Sequence, residues 1–103
     1  MRLKKEIIEG SRYKKEFKKV IASPKNRVDV PVILNCLTEL LCQGKNLSEK
    51  YKDHNLQRME GYRECHIKPD LLLIYKPEKD TVRLARIGSH SDIYTKNFQT
   101  VGG

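Results

Sequence analysis

The stretch that decides the fold reads GYRECHIKPDLLLIYKPEKDTVRLARI and runs from residue 61 to residue 87. Within it, Leu71–Lys76 is a largely apolar run, as expected for a central strand that is buried on both faces. Pro69 and Asp70 supply a turn before this run, because proline fixes φ for the bend, and residues 77–80 form a hairpin loop after it. Three strands and two turns predict an antiparallel meander.

The chain before the meander begins with a short strand and an amphipathic helix. The strand is predicted at residues 4–8. Over residues 12–22, Tyr13, Phe17, Val20 and Ile21 recur at helical spacing and form one apolar face. Ser11 is the predicted N-cap of this helix, and Pro24 ends it because the residue before a proline avoids helical φ and ψ.

A second helix is predicted after a polar link at residues 23–29. Asp29 is its expected cap, and Pro31 is tolerated in the first turn. A broad apolar stripe runs from residue 32 to residue 41, and Gly44 is a plausible C-terminal stop. The predicted order is therefore β-α-α-β-β-β, an α+β fold with a two-helix hairpin packed on a small curved antiparallel sheet.

Length and composition indicate one domain over residues 1–103, of which residues 95–103 form a short polar tail. No apolar run approaches the length of a membrane span, and the first ten residues lack the apolar core of a signal peptide. The three cysteines, Cys36, Cys42 and Cys65, are odd in number and lack CxxC spacing, which predicts reduced thiols in a cytoplasmic protein. Cys36 and Cys65 are expected to fill the core as small apolar residues.

The positive charge is concentrated at the N-terminus. The net charge is +8, and residues 1–27 contain ten Lys or Arg against three Asp or Glu. Four of these lysines lie opposite the apolar face of the first helix: Lys14, Lys15, Lys18 and Lys19. A polyanion is the natural partner of such a patch, although a solvated helix that binds nothing explains the lysines equally well.

All the residues suited to acid–base chemistry lie in or beside the meander. His54 precedes it, His66 lies on its first strand, and His90 follows its last strand. Asp70 lies at the turn after His66. Arg86 shares strand parity with His90, so the two side chains should project to the same side if the strand stays regular.

These five residues could cleave RNA without a metal. The reaction needs a base for the 2′-hydroxyl proton, an acid for the leaving 5′-oxygen and a cation for the phosphate. Histidine suits the first two roles because its unperturbed pKa is near 6.5, and arginine suits the third. Composition does not say which residue takes which role.

Other interpretations of the same residues exist. Each residue alone is commonly a solvated or turn residue, and three histidines with an aspartate are a possible metal ligand set. The absence of HxH or HExxH spacing disfavours the metal site, so we expect no metal and no other cofactor. Tyr94 is a candidate for base stacking, and Arg63 is a second candidate for RNA contact.

Three ordered motifs resemble the RelE/YafQ family of bacterial toxin ribonucleases, and its YafQ branch in particular. They are YKDHNL at residues 51–56, GYRECHIKPDLLLIYK at residues 61–76 and RIGSHSDIY at residues 86–94. The match covers about half of the chain closely, and the helical half agrees in pattern and length. The resemblance implies the toxin half of a type II toxin–antitoxin pair, which cuts mRNA in the ribosomal A site by 2′-hydroxyl attack without a metal.

The resemblance also implies roles for individual residues. His90 would be the general acid, Asp70 or His54 the base or its orienter, and Arg86 the contact to the scissile phosphate. His66 and the aromatic Tyr94 match further functional positions of the family. The family often has tryptophan after the aspartate, whereas this chain has Leu71 and no tryptophan, which affects base preference more than the reaction.

The implied partners are a cognate antitoxin, in a toxin–antitoxin hetero-oligomer, and mRNA on the ribosome, with no membrane involved. The basic first helix would supply sequence-independent affinity for rRNA. Three alternatives remain: a non-catalytic RNA- or ribosome-binding module of the same fold, a small metal-dependent enzyme, and a structural partner of an acidic protein.

Overall fold

The structure, a computed structural model, describes residues 4–94, so the predicted tail at residues 95–103 lies outside the described residues. Along the chain the elements are β1 (Glu6–Glu9), α1 (Ser11–Ala22), α2 (Pro24–Arg27), α3 (Asp29–Cys42), a 3-10 turn (Glu49–Tyr51), β2 (His54–Asn55), β3 (Arg63–Lys68), β4 (Leu71–Pro77), β5 (Thr81–Gly88) and α4 (His90–Ile93).

The sheet has the strand order β1-β5-β4-β3-β2. The predicted meander is confirmed, since β3, β4 and β5 pair as antiparallel neighbours. β1 pairs in parallel with β5, from Glu6 opposite Thr81 to Glu9 opposite Leu84. The α+β class is therefore confirmed, and the sheet is mixed rather than wholly antiparallel.

β4 lies at the centre of the fold and is buried on both faces. Its residues Leu71–Tyr75 are each at most 7% exposed. Leu71, Leu73 and Tyr75 pack with α1 and α3 in the main core, whereas Leu72 and Ile74 pack with α4 and residues 56–62 in a smaller core. The longest apolar run of the sequence therefore separates two cores.

The helices begin and end slightly differently from the prediction. The N-cap of α1 is Gly10 and that of α3 is Val28, neither of which caps with a side chain. The predicted stop at Gly44 is confirmed: Gly44 has φ +74°. Its N–H donates to Leu41 O, and Lys45 N–H donates to Leu40 O, as in the Schellman motif.

The predicted polar link contains a helical turn, α2, which is tied to the sheet. Asn26 on α2 is 9% exposed, and its Oδ1 accepts a hydrogen bond of 3.1 Å from Lys68 Nζ. Lys68 also donates to Lys25 O at 3.0 Å. A linker whose polar groups are satisfied this way packs as part of the domain.

β5 contains a bulge that changes the side on which its residues point. Tyr75 pairs with Leu84 and Ile74 pairs with Arg86, so Ala85 is an extra residue in β5. Because side chains alternate with a period of two, one extra residue moves the following residues to the opposite faces. Arg86, which lies opposite Ile74 of the smaller core, therefore faces away from Val82 and Leu84, which lie in the main core.

All three cysteines are free thiols, of which Cys42 and Cys65 are buried and Cys36 is exposed. The expectation that Cys36 fills the core is therefore wrong. Within residues 4–94, no helix has the length and apolar character needed to cross a membrane.

Candidate active site

Three of the five residues proposed for catalysis meet at one end of the sheet. β3 ends at Lys68, β4 begins at Leu71, and β5 ends at Gly88. Because these neighbours are antiparallel, the turn at Pro69 and Asp70 lies beside the end of β5. His66 and His90 are brought together there, with ring centroids 5.7 Å apart.

Asp70 orients His90. Asp70 Oδ1 accepts a 3.1 Å hydrogen bond from the backbone N–H of His90 and lies 2.9 Å from its Nδ1. These hydrogen bonds hold the pKa of the Asp70 carboxyl below its usual value, so the carboxylate is an acceptor and Nδ1–H the donor. The arrangement leaves Nε2 of His90 for proton transfer.

His90 begins a short helix that sequence analysis missed. Ser89 Oγ accepts from Asp92 N–H at 3.2 Å, and Ser89 N–H donates to Asp92 Oδ2 at 3.3 Å. This reciprocal pair is a capping box. Its sequence signal, Ser followed three residues later by Asp, is present in SHSD and could have revealed α4.

His66 is the half-buried member of the site. Its Nδ1 is buried and has no hydrogen-bond partner among the described residues. Burial is the main cause that lowers the pKa of His66, and the neighbouring positive charges of His90, Lys52 and His54 act in the same direction, against Glu64. The neutral imidazole, the form that can accept a proton, is therefore favoured.

His54 contacts Glu64, a residue that sequence analysis missed. His54 lies on β2, opposite Glu64 on β3, and its Nε2 is 3.3 Å from Glu64 Oε1. Glu64 is buried. The available signal was parity, since Glu64 and His66 lie two residues apart and face the same side of a strand.

A cleft of about 600 Å³ contains His66 and His90 together with three lysines, Lys50, Lys52 and Lys68. A neighbouring hollow of about 400 Å³ contains Asp70, Lys19 and Lys25. The hollow and the cleft share Lys68 and Pro69. Cationic side chains on both sides of the Asp70–His90 pair favour an anionic ligand that extends through both.

Arg86 does not lie in this cleft, so the predicted phosphate contact is not supported. Its side chain is 1% exposed and donates to Glu16 of α1, with Nε–Oε2 3.0 Å and Nη2–Oε2 2.8 Å. Glu16 also accepts from the backbone N–H of Ile87 at 3.1 Å. The predicted alignment of Arg86 with His90 fails because β5 ends at Gly88 and His90 begins α4, so strand alternation does not extend from one residue to the other.

Arg63 positions the segment that carries His54. Arg63 donates to Asp53 from Nε and Nη2, at 3.1 to 3.3 Å, and from Nη1 to Asn55 Oδ1 at 2.5 Å. Tyr75 O–H donates to the same Asp53 carboxylate at 2.5 Å. Contact of Arg63 with RNA stays a prediction, since these bonds direct its guanidinium to protein acceptors.

The other residues proposed to contact RNA lie on the surface. Tyr94 is 36% exposed, and its ring centroid is 6.2 Å from that of His90. The lysines Lys14, Lys15, Lys18 and Lys19 are exposed on α1. Of these four, Lys19 lines the hollow beside Asp70.

Known proteins share this sequence and fold over nearly all of the chain. The family described as the bacterial toxin of type II toxin–antitoxin system, YafQ, matches residues 5–95. The mRNA interferase toxin YafQ of Escherichia coli K12 is 31% identical over 93 residues, which cover 89% of this chain and 98% of that protein.

Two crystal structures agree with the fold. A copper-bound mutant toxin from Helicobacter pylori has a TM-score of 0.79 at 32% identity, covering 89% of this chain and 100% of that one. The toxin chain of the E. coli DinJ–YafQ toxin–antitoxin complex has a TM-score of 0.76 at 33% identity, covering 90% and 100%.

The fold is thus that of a small bacterial toxin. The chain belongs to the YafQ family of toxins from type II toxin–antitoxin systems.

We expect Glu16→Ala to lower the free energy of unfolding by about 3 kcal/mol, because it leaves the Arg86 charge buried without its partner. Urea denaturation would measure the change. The matched control is Glu9→Ala, which removes an exposed carboxylate and should change the value by less than about 0.5 kcal/mol. If Glu16→Ala unfolds like the wild type, the ion pair does not hold Arg86 in place.

Proposed function

We propose that this toxin is an mRNA interferase, an endoribonuclease that cleaves mRNA on the ribosome without a metal. The observation that carries the proposal is the Asp70–His90 pair, which lies beside His66 in a cleft lined by lysines. The name of the E. coli relative, mRNA interferase toxin, supports the same substrate class.

The proposed reaction needs two proton transfers and no redox partner. His66, kept neutral by burial, accepts the proton of the 2′-hydroxyl as its oxygen attacks the adjacent phosphorus. The bond from phosphorus to the 5′-oxygen breaks, and His90 Nε2–H gives its proton to that oxygen. The products are a 2′,3′-cyclic phosphate and a 5′-hydroxyl end, and Asp70 keeps the His90 ring in orientation throughout.

The RNA would lie across the two connected depressions. Lys50 and Lys52 line the cleft on the His66 side, and Lys19 and Lys25 line the hollow on the other side of Asp70. Phosphates on both sides of the scissile bond would therefore meet positive charge. Tyr94, beside His90, is the proposed stacking platform for a base.

Ribosome dependence is proposed from the exposure of the catalytic pair. The side chains of His90 and Asp70 are 53% and 72% exposed. A site this open does little to orient a flexible single strand, and orientation of the attacking group is worth several kcal/mol of the barrier. The ribosome would supply that orientation by fixing the mRNA.

The proposed protein partner is a cognate antitoxin in a hetero-oligomer. The E. coli relative has been crystallised as the DinJ–YafQ toxin–antitoxin complex, and the toxin chain of that complex matches 90% of this chain. A toxin that acts in the cytoplasm needs such an inhibitor in the same compartment.

A metal-dependent enzyme and a non-catalytic binding module are the alternatives. Among residues 4–94, no three His, Cys, Asp or Glu side chains are grouped so that they could hold a metal ion. A pure binding module would need no hydrogen bond from a histidine ring to Asp70, since phosphate contacts require only cations and N–H donors.

We expect EDTA-treated wild-type protein to cleave mRNA on translating ribosomes, and His90→Ala to lower the single-turnover rate by about 10²- to 10⁴-fold, because the leaving oxygen loses its acid. Magnesium stays in the ribosome buffer. Ser91→Ala, an exposed change in the same helix, is the matched control and should cleave at the wild-type rate.

Two results of this assay would contradict the proposal. Tight ribosome binding with intact mRNA would favour the binding module. Cleavage that EDTA treatment abolishes and a divalent metal restores would favour the metal-dependent enzyme.

We also expect the acidic limb of the pH–rate profile to lie below pH 6.5, the usual imidazole value, because the pKa of His66 is lowered by burial. As a base, His66 works unprotonated, and a lowered pKa keeps it so as the pH falls through that value. Single-turnover cleavage across pH would show this. An acidic limb above 6.5, or one unchanged in His66→Gln, would remove His66 from the base role.

Ribosome affinity should fall steeply with salt if the lysines of α1 bind rRNA phosphates. Removing one lysine that binds a phosphate makes the slope of log affinity against log salt shallower by about one. Replacing Lys18 and Lys19 by alanine should therefore reduce the slope by about two, as measured by filter binding. Lys79→Ala, in the loop between β4 and β5, is the control, and an unchanged slope in the double variant would exclude these lysines.

A further inference from the structure

The cleft that contains His66 and His90 has an apolar wall that the proposed reaction does not use. Ile33 of α3, Tyr51 of the 3-10 turn and Pro69 line the cleft together with the two histidines. Ile33 and Tyr51 are half-buried and pack against the main core, so the wall is a fixed part of the domain. Phosphate and ribose bind through polar contacts, so an apolar wall beside them suits the remaining part of a nucleotide, which is its base.

Tyr51 gives this wall an aromatic face. Lys50 Nζ lies over the Tyr51 ring, 5.1 Å from its centroid. Lys50 is exposed, so the ring face that it covers is the face nearer to solvent. A cation–π contact at an exposed site is weak, and stacking of a base on an aromatic ring is stronger. A base can therefore replace the ammonium group on the ring, which leaves Lys50 available to a phosphate.

Tyr51 and Tyr94 lie on opposite sides of the two histidines. The 3-10 turn that ends at Tyr51 packs against β3, the strand that carries His66, and α4 packs against β5. These two strands lie on either side of β4. The Tyr94 ring is 6.2 Å from that of His90 at the start of α4. An RNA strand that crosses the histidine pair would thus meet one aromatic ring on each side.

We propose that Tyr51 is the stacking platform for the base of the nucleotide on the 5′ side of the cut. The inference rests on the proposed function, in which His66 takes the 2′-hydroxyl proton of that nucleotide, so that its ribose lies on the His66 side of the cleft. The cleft volume of about 600 Å³ is within the range of ligand pockets, about 300–1,000 Å³. Lys50 and Lys52 flank Tyr51 in the chain and supply charge for the adjacent phosphates.

Cleavage by variants on modified mRNA tests this contact. Tyr51→Leu keeps an apolar side chain against the core but removes the aromatic ring, so we expect single-turnover cleavage on the ribosome to slow by about tenfold. Tyr51→Phe should keep the wild-type rate. Ser48→Ala is the matched control, because Ser48 is exposed at the start of the same turn and its side chain makes no capping hydrogen bond. It should also keep the wild-type rate.

An mRNA that lacks only the base of the 5′ nucleotide completes the test. On this mRNA the wild type should slow by the same factor, and Tyr51→Leu should slow no further, because the ring and the base act through one contact. If the two losses multiply, to about 100-fold, or if Tyr51→Leu cleaves unmodified mRNA at the wild-type rate, Tyr51 is not the platform for this base.

Binding can be measured without any cleavage. A DNA trinucleotide of purines has no 2′-hydroxyl and is not cut by the proposed reaction. We expect it to shift the ring protons of Tyr51 upfield in the NMR spectrum, because a stacked base shields them. The abasic trinucleotide of equal charge should shift lysine signals alone. A Tyr51 shift of equal size with both probes, or none with either, would overturn the proposal.

The two measurements distinguish failure of this inference from failure of the proposed function. A wild-type chain that cleaves mRNA on the ribosome, with Tyr51→Leu equally fast, would refute the platform and leave the proposed function intact. A wild-type chain whose Tyr51 signals shift with the purine probe alone, and which cleaves no mRNA, would refute the proposed function and support a base-stacking site at Tyr51.

Discussion

The burial of β4 on both faces is the constraint on which the rest of the structure depends. A strand with five consecutive residues at most 7% exposed needs a layer on each side. α1 and α3 form one layer. The other consists of α4 and the segment 56–62, which contributes Leu56, Met59 and Tyr62. This second layer covers only part of its face, and His66 and His54 lie beyond it. The site exists where the second core ends.

Sequence patterns predicted most of the fold because those patterns are local. The meander follows from the apolar run and its two turns, α1 from four apolar residues at helical spacing, and the end of α3 from Gly44. The pairing of Asp70 with His90 could also be predicted, since a meander brings the end of its first strand and the end of its third strand to the same end of the sheet.

The remaining features depend on contacts that no local pattern encodes. Arg86 and Glu16 are 70 residues apart in the chain, and their pairing depends on the packing of α1 against β5. In the sequence, nothing distinguishes Glu64 from other strand residues. Its contact with His54 depends on β2, which places His54 opposite it. α4 is different, because its capping box can be recognised in the sequence from Ser89 and Asp92. Arg63, with its acceptors eight and ten residues away, shows how a nearby partner changes the expected role of a cation.

The exposure of the Asp70–His90 pair has a consequence for how such a protein would be controlled. In water the field of an ion pair is screened many times more strongly than in an enclosed site, so a catalytic pair on the surface is slow until another body covers it. Under the proposed function, the ribosome encloses the catalytic pair, and a toxin molecule that is not bound to a ribosome is inactive. The amount of mRNA cleaved would then depend on the time that the toxin spends bound to the ribosome. An inhibitor could prevent cleavage by covering the ribosome-binding surface, without contacting a reacting atom.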